Sequence, residues 1–225
     1  MSDNQYTRAV GTKFYPDGRV RSFPGISLIS FISPDMSQYR LLTSFQDDLK
    51  RQAFAGNFAF LPPSSFHMTV TDLLCEQVRL AEHWSDKLPL DMPFNATQRQ
   101  MMEWLSGAIL PRTFNMRFDM LMDYEVTVKP FLLPADFATD DYLRDLRKTV
   151  SSITGITHPN HDLYRFHISL AYQIIEMDDL VMDTFLTFLT SWEKVFREEF
   201  GVLALAEPKL VFFPDMFSFP EKQQT

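Results

Sequence analysis

The stretch Ser64-Ser65-Phe66-His67-Met68-Thr69-Val70 (SSFHMTV) recurs in the same pattern as Tyr164-Arg165-Phe166-His167-Ile168-Ser169-Leu170 (YRFHISL). Both run aromatic, His, apolar, hydroxyl, apolar, and the two histidines stand 100 residues apart. Alternation of polar and apolar residues marks a half-buried β-strand, whose side chains point to opposite faces in turn. On that reading Ser65, His67, Thr69 and Thr71 share one face of the first strand, with Phe66, Met68 and Val70 opposite. In the second, Arg165, His167 and Ser169 share a face, and Phe166, Ile168, Leu170 and Tyr172 lie opposite in the core. Each strand buries an apolar side and turns a His, a hydroxyl and a further polar group elsewhere.

The surroundings of the two segments repeat as well. A strand over 26–33, a helix over 36–53 opened by Ser33-Pro34-Asp35, and the strand over 64–72 recur as 125–132, 137–153 and 163–173, the second helix opened by Pro134-Ala135-Asp136. This internal period predicts one domain over 1–225 with two related lobes, roughly 26–110 and 114–215. Were they packed as a pseudo-dimer, the two polar faces would meet across one cleft. Pro16-Asp17-Gly18 is turn chemistry and predicts an N-terminal hairpin over 11–25. Two helices are expected over 76–87 and 96–108, the second capped by Asn95. A strand over 114–123 should join the next across Asp123-Tyr124. A long helix over 177–200 and strands around 202–206 and 209–213 complete an α+β chain, with Gly18 and Gly25 read as turn residues.

With 225 residues, 45% hydrophobic and 22 of them Phe, the chain can bury a sizeable core. A formal charge of −8, from 21 basic and 29 acidic residues, argues against coating a long nucleic acid through a basic face, but not against one small anion in a local pocket. The start, MSDNQYTRAV, has no basic and apolar leader pattern, and no apolar run suggests a membrane span. A cytoplasmic location is therefore expected, in keeping with a single cysteine, Cys75, read as an inert thiol beside Leu73 and Leu74. The loose ends are the first few residues and the tail over 221–225.

Two histidines across one cleft suit acid–base chemistry at a phosphodiester. Histidine titrates near pH 6.5, so one imidazole can take a proton from water while the other gives one to the leaving oxygen. Thr69 and Ser169, two residues beyond each His, are placed to hydrogen-bond phosphate oxygens as charge accumulates on them. Arg165 is a candidate for a charge-assisted contact to the same oxygens.

The paired segments resemble the H-x-[ST]-x motifs of the two-histidine (2H) phosphoesterase superfamily. That superfamily includes bacterial RNA ligase-like cyclic phosphodiesterases, plant cyclic phosphodiesterases and a eukaryotic exonuclease that trims a spliceosomal RNA. The opening GTKFYPDGRVRSFPG (Gly11 to Gly25) is similar to a branch known mostly as hypothetical proteins. The resemblance implies a bilobal, pseudo-two-fold α+β fold, with antiparallel sheets forming a central cleft and helices outside. It also implies metal-independent opening of 2′,3′-cyclic phosphates or related nucleotide or RNA-end phosphodiesters without a cofactor. His67 and His167 would be the acid–base pair and Thr69 and Ser169 the phosphate ligands.

Rival readings remain at this level. His158, His161 and His167 raise a metal hydrolase, although Pro159 and Asn160 put the first two in a loop and no matching Cys or carboxylate stands out. A base must be held somewhere, and Lys13 and Tyr15 are candidates. The chain is alternatively a module that binds nucleotides or RNA ends without turnover.

Overall fold

The residues Gly25-Ile26-Ser27-Leu28-Ile29-Ser30-Phe31 are apolar enough to be covered on both faces. In the computed structural model of the chain they form β1 (Gly25–Phe31), buried along nearly its whole length. The structure describes residues 5–108, 112–121, 126–159 and 161–220. After β1 come α1 (Ser37–Lys50), β2 (Phe58–Phe60), β3 (His67–Cys75), α2 (Phe94–Leu105) and β4 (Phe114–Leu121). These are followed by β5 (Thr127–Val128), β6 (Pro130–Pro134), α3 (Phe137–Thr154), β7 (Ala171–Gln173), α4 (Asp179–Glu199), β8 (Val202–Leu205) and β9 (Lys209–Phe213). Among the described residues the strands make three antiparallel sheets, ordered β3-β1-β9, β2-β7-β5 and β6-β4-β8, so the chain is α+β.

Helices cover these sheets with their apolar faces. In α1 the residues Leu41, Leu42, Phe45 and Leu49 are buried, and Phe45 meets Phe188 and Phe196 of α4 at ring distances of 5.6 Å. Each such ring removed from water contributes roughly 1.5–3 kcal/mol. The expected start of α3 holds, because the Asp136 carboxylate accepts from Thr139 N at 2.7 Å, and Gly155 ends the helix at φ 67°. The main core draws on both halves of the chain, from Ile26 to Leu205. A smaller one, around Phe14, Leu61, Ile174, Phe213 and Met216, packs the N-terminal hairpin against the C-terminal segment. No helix of the described residues is long and apolar enough to cross a membrane.

Several expectations are corrected. Residues 76–87 form no α-helix. Arg79 donates to the carbonyls of Leu90 and Met92 and the Trp84 indole to that of Pro89, which ties the stretch into irregular loops with one short 3₁₀ turn, Ala81–His83. Asn95 does not cap α2, which already begins at Phe94 after Pro93. Gly18 does serve a turn, at φ 80°, but Gly25 does not: it lies in β1, where a Cβ would meet the Phe213 ring at 2.1 Å. The Asp123-Tyr124 joint, Glu125, Asn160, the first four residues and the tail over 221–225 lie outside the described residues.

Candidate active site

The two histidine segments run side by side. An antiparallel bridge pairs Met68 with Ile168, and its register sets His67 across from Ser169 and Thr69 across from His167. Each histidine thus faces the hydroxyl of the other motif. The second segment is fixed from its far side, where Leu132 N donates to Phe166 O at 2.8 Å, Ile168 N to Pro130 O at 3.1 Å and Leu170 N to Val128 O at 2.9 Å. Met68, Val70, Ile168 and Leu170 are fully buried, as the alternation requires.

Both imidazoles are oriented alike. His67 Nδ1 lies 2.6 Å from Ser65 O, and His167 Nδ1 lies 2.9 Å from Arg165 O, each the carbonyl two residues upstream. A carbonyl only accepts, so Nδ1 carries the proton in the neutral ring and Nε2 holds the lone pair. Burial pushes the His67 pKa down to about 4, helped by the charge of His167 and opposed by the Ser65 carbonyl and Asp72. At neutral pH the His67 ring is therefore uncharged. The Phe219 ring, itself 4.8 Å from Phe213, covers it at a centroid distance of 4.2 Å.

His67, Thr69, His167 and Ser169 all line one cleft of about 560 Å³. All five histidines of the chain do so, with Arg8, Lys13, Lys129 and Arg147, against Asp72 as the one carboxylate among the described residues lining it. A chain of net charge −8 has thus gathered cations in its cleft, an arrangement that concentrates anions there. Lys13 donates to Tyr172 Oη at 3.2 Å and lies over the Tyr172 and Phe23 rings. Burial works against its charge, but Tyr172, Asp72 and Cys75 more than offset this and raise its pKa. Cys75 lies at the same cleft, its thiol pushed up by burial.

Two sequence candidates lie elsewhere. Arg165 does not line the cleft: its guanidinium sits 3.8 Å from the Phe131 ring centroid and 3.5 Å from Asp119. Residues 164–166 belong to no strand, so strict alternation does not reach back to it. Tyr15, at 40% exposure, lies under Arg19 and Arg21 and does not line the cleft. His158 Nε2 faces the carbonyls of Asp72 and Leu73 at 3.2 and 3.1 Å, and its Nδ1 lies 3.2 Å from His83 Nδ1. Among the described residues no three His, Cys, Asp or Glu side chains are grouped to hold a metal ion.

Sequence reasoning missed others. Tyr172, read as a core residue, lines the cleft, because Val128 stands opposite both Leu170 and Ala171 and this bulge flips every later side chain to the other face. Arg147 also lines the cleft. Its signal was legible, since it interrupts the buried stripe Leu143, Leu146, Val150 and Thr154 of α3.

A solved structure shares this architecture. The conserved protein of unknown function ATU0111 from Agrobacterium tumefaciens str. C58 is 27% identical, with a TM-score of 0.89 over 97% of this chain and 93% of its own. LigT of E. coli in its apo form is 14% identical, with a TM-score of 0.46 over 85% of this chain and 88% of its own. TT0787 of Thermus thermophilus is 17% identical, with a TM-score of 0.42 over 66% of this chain and 74% of its own. No curated protein matches the chain. The family model of the 2H-phosphodiest domain, described as a domain of unknown function (DUF1868), matches residues 13–126, just over half of the 225 residues and including His67 and Thr69. The chain belongs to this 2H-phosphodiest family.

Proposed function

We propose that the protein is a phosphodiesterase that opens 2′,3′-cyclic nucleotide phosphates, or related RNA-end phosphodiesters, by two-histidine acid–base catalysis without a metal ion. The observation that carries this reading is the pairing of the two motifs in one cationic cleft, with each histidine set across from the other motif's hydroxyl.

The chemistry follows from the protonation states. His67, neutral at pH 7, accepts a proton through Nε2 from a water that attacks phosphorus. His167 in its protonated form donates to the ribose oxygen as the phosphorus–oxygen bond breaks, leaving a phosphate monoester and a free hydroxyl. Thr69 and Ser169 donate hydrogen bonds to the non-bridging oxygens, which gain charge in the transition state. Lys13, charged and held by Tyr172, adds positive potential from the hairpin side.

The test is turnover of the four nucleoside 2′,3′-cyclic monophosphates and of a short oligonucleotide ending in a cyclic phosphate, all with EDTA present. Chelator-resistant formation of a 2′- or 3′-monophosphate is the expected result, and its position identifies the bond that breaks. Binding without product from every one of these substrates would make the cleft a binding site and refute the enzymatic reading.

A further inference from the structure

Several cleft cations, Arg147 among them, have no part in that scheme. Arg147 is 7% exposed, yet its guanidinium lines the cleft. Its Nη1 donates to Val70 O and its Nη2 to His161 O, both at 2.6 Å, and it stacks over the Tyr164 ring at 4.4 Å. Among the described residues none of the ion pairs involves it. Neutral carbonyls satisfy two donors, while Asp72 and Asp162 act on the charge only from beyond contact, and a buried charge is costly unless it is closely paired.

The surroundings of Arg147 are built for an anion. His83, His158 and His161 line the same cleft, and burial and then the Arg147 charge lower the His161 pKa, so the guanidinium makes this end of the cleft electropositive. The Tyr164 hydroxyl is buried beside Thr69 without a hydrogen bond of acceptable geometry among the described residues. Burial, with the Asp72 charge, holds that phenol well above its ordinary pKa, so it remains a donor. The Tyr164 ring neighbours both the Arg147 guanidinium, at 4.4 Å, and the His167 ring, at 6.2 Å. Two anion-binding ends that border one ring suit two phosphates of one nucleotide.

We propose that the Arg147 end of the cleft is a second anion subsite, and that the substrate is a cyclic nucleotide phosphate carrying a second phosphate group. The inference rests on the phosphodiester reading of the histidine pair and narrows its substrate class. A guanidinium offers a phosphate two parallel donors and is desolvated here already, so the second phosphate supplies a counter-charge in direct contact.

Equilibrium binding tests the subsite separately from catalysis. The wild-type chain is titrated with each of the four nucleoside 3′-monophosphates and with the matching 3′,5′-bisphosphates, and the titrations are repeated with Arg147→Gln and Arg147→Lys. The subsite predicts that at least one bisphosphate binds about tenfold or more tightly than its monophosphate, a charge-assisted contact's worth, and that Arg147→Gln brings the ratio near one. Equal affinities within all four pairs, no binding of any, or a preference that survives in folded Arg147→Gln would overturn it. Where Arg147→Gln fails to fold, Arg147→Lys takes its place, and its ratio should fall below that of wild type because one ammonium lacks the two parallel donors; an unchanged ratio in folded Arg147→Lys would overturn the subsite. Bisphosphate preference with no turnover of cyclic substrates would refute the catalytic reading and leave the subsite standing.

Discussion

Met68 and Ile168, both fully buried, face each other in an antiparallel bridge between the two histidine segments. Because side chains alternate along each strand, this apolar pair on one face obliges His67 and Thr69 to meet Ser169 and His167 on the other. The core and the candidate site are thus two sides of one register, and a one-residue slip would bury the histidines.

If Thr69 and Ser169 bind the phosphate oxygens, removing either hydroxyl weakens the transition state and spares the fold. Thr69→Ala and Ser169→Ala are each expected to lower kcat on a cyclic phosphate by about 10²-fold, with melting temperatures close to wild type. Thr69→Ser should retain most of the activity. Equal kcat for Thr69→Ala and wild type would remove the hydroxyl from the scheme.

The depressed pKa of His67 has a consequence for acid stability. The unfolded chain takes up a proton on this residue near pH 6.5, whereas the folded chain does so only near 4. The unfolded state therefore binds more protons in that window, and the His67 contribution, complete above about pH 6.5, is lost as pH falls toward 4. Melting temperatures measured from pH 7 to 4 should fall more steeply for wild type than for His67→Asn. Parallel curves would mean that His67 titrates alike in both states.

Gly25 controls the cover of His67 from a distance. A Cβ there would overlap the Phe213 ring, which packs on Phe219, which in turn covers His67. Gly25→Ala should cost about 1–3 kcal/mol of stability through overpacking and should lower activity through the displaced Phe219. A crystal structure of the variant with Phe213 and Phe219 unmoved would contradict this chain of contacts.

The parts of this molecule legible in the sequence were those governed by local pattern. The alternation around His67 and His167 marked the two segments, and Asp136 marked the start of α3. The helical spacing of Leu42, Phe45 and Leu49 marked the buried face of α1. The illegible parts depended on contacts distant in sequence. The bulge opposite Val128 that turns Tyr172 into the cleft is a property of strand pairing, and the irregular path of 76–92 is held by side-chain bonds to carbonyls. Arg165 left the expected face because Phe131 and Asp119, remote in sequence, gave it a partner. Arg147 stands between these cases, since its place in an apolar stripe was visible but the carbonyls that hold it in place of a carboxylate were not.

The central claim, that His67 and His167 act together as base and acid, is tested most directly by kcat on a nucleoside 2′,3′-cyclic phosphate. Wild type, His67→Ala, His167→Ala and the double variant are compared at pH 7 with EDTA present and folding checked by circular dichroism. Each single variant should lose at least about 10²-fold, and the double variant little more than the worse single one, as expected of groups that work as a unit. Either single variant turning over substrate at the wild-type rate, or wild-type activity lost in EDTA and restored by zinc, would contradict the account.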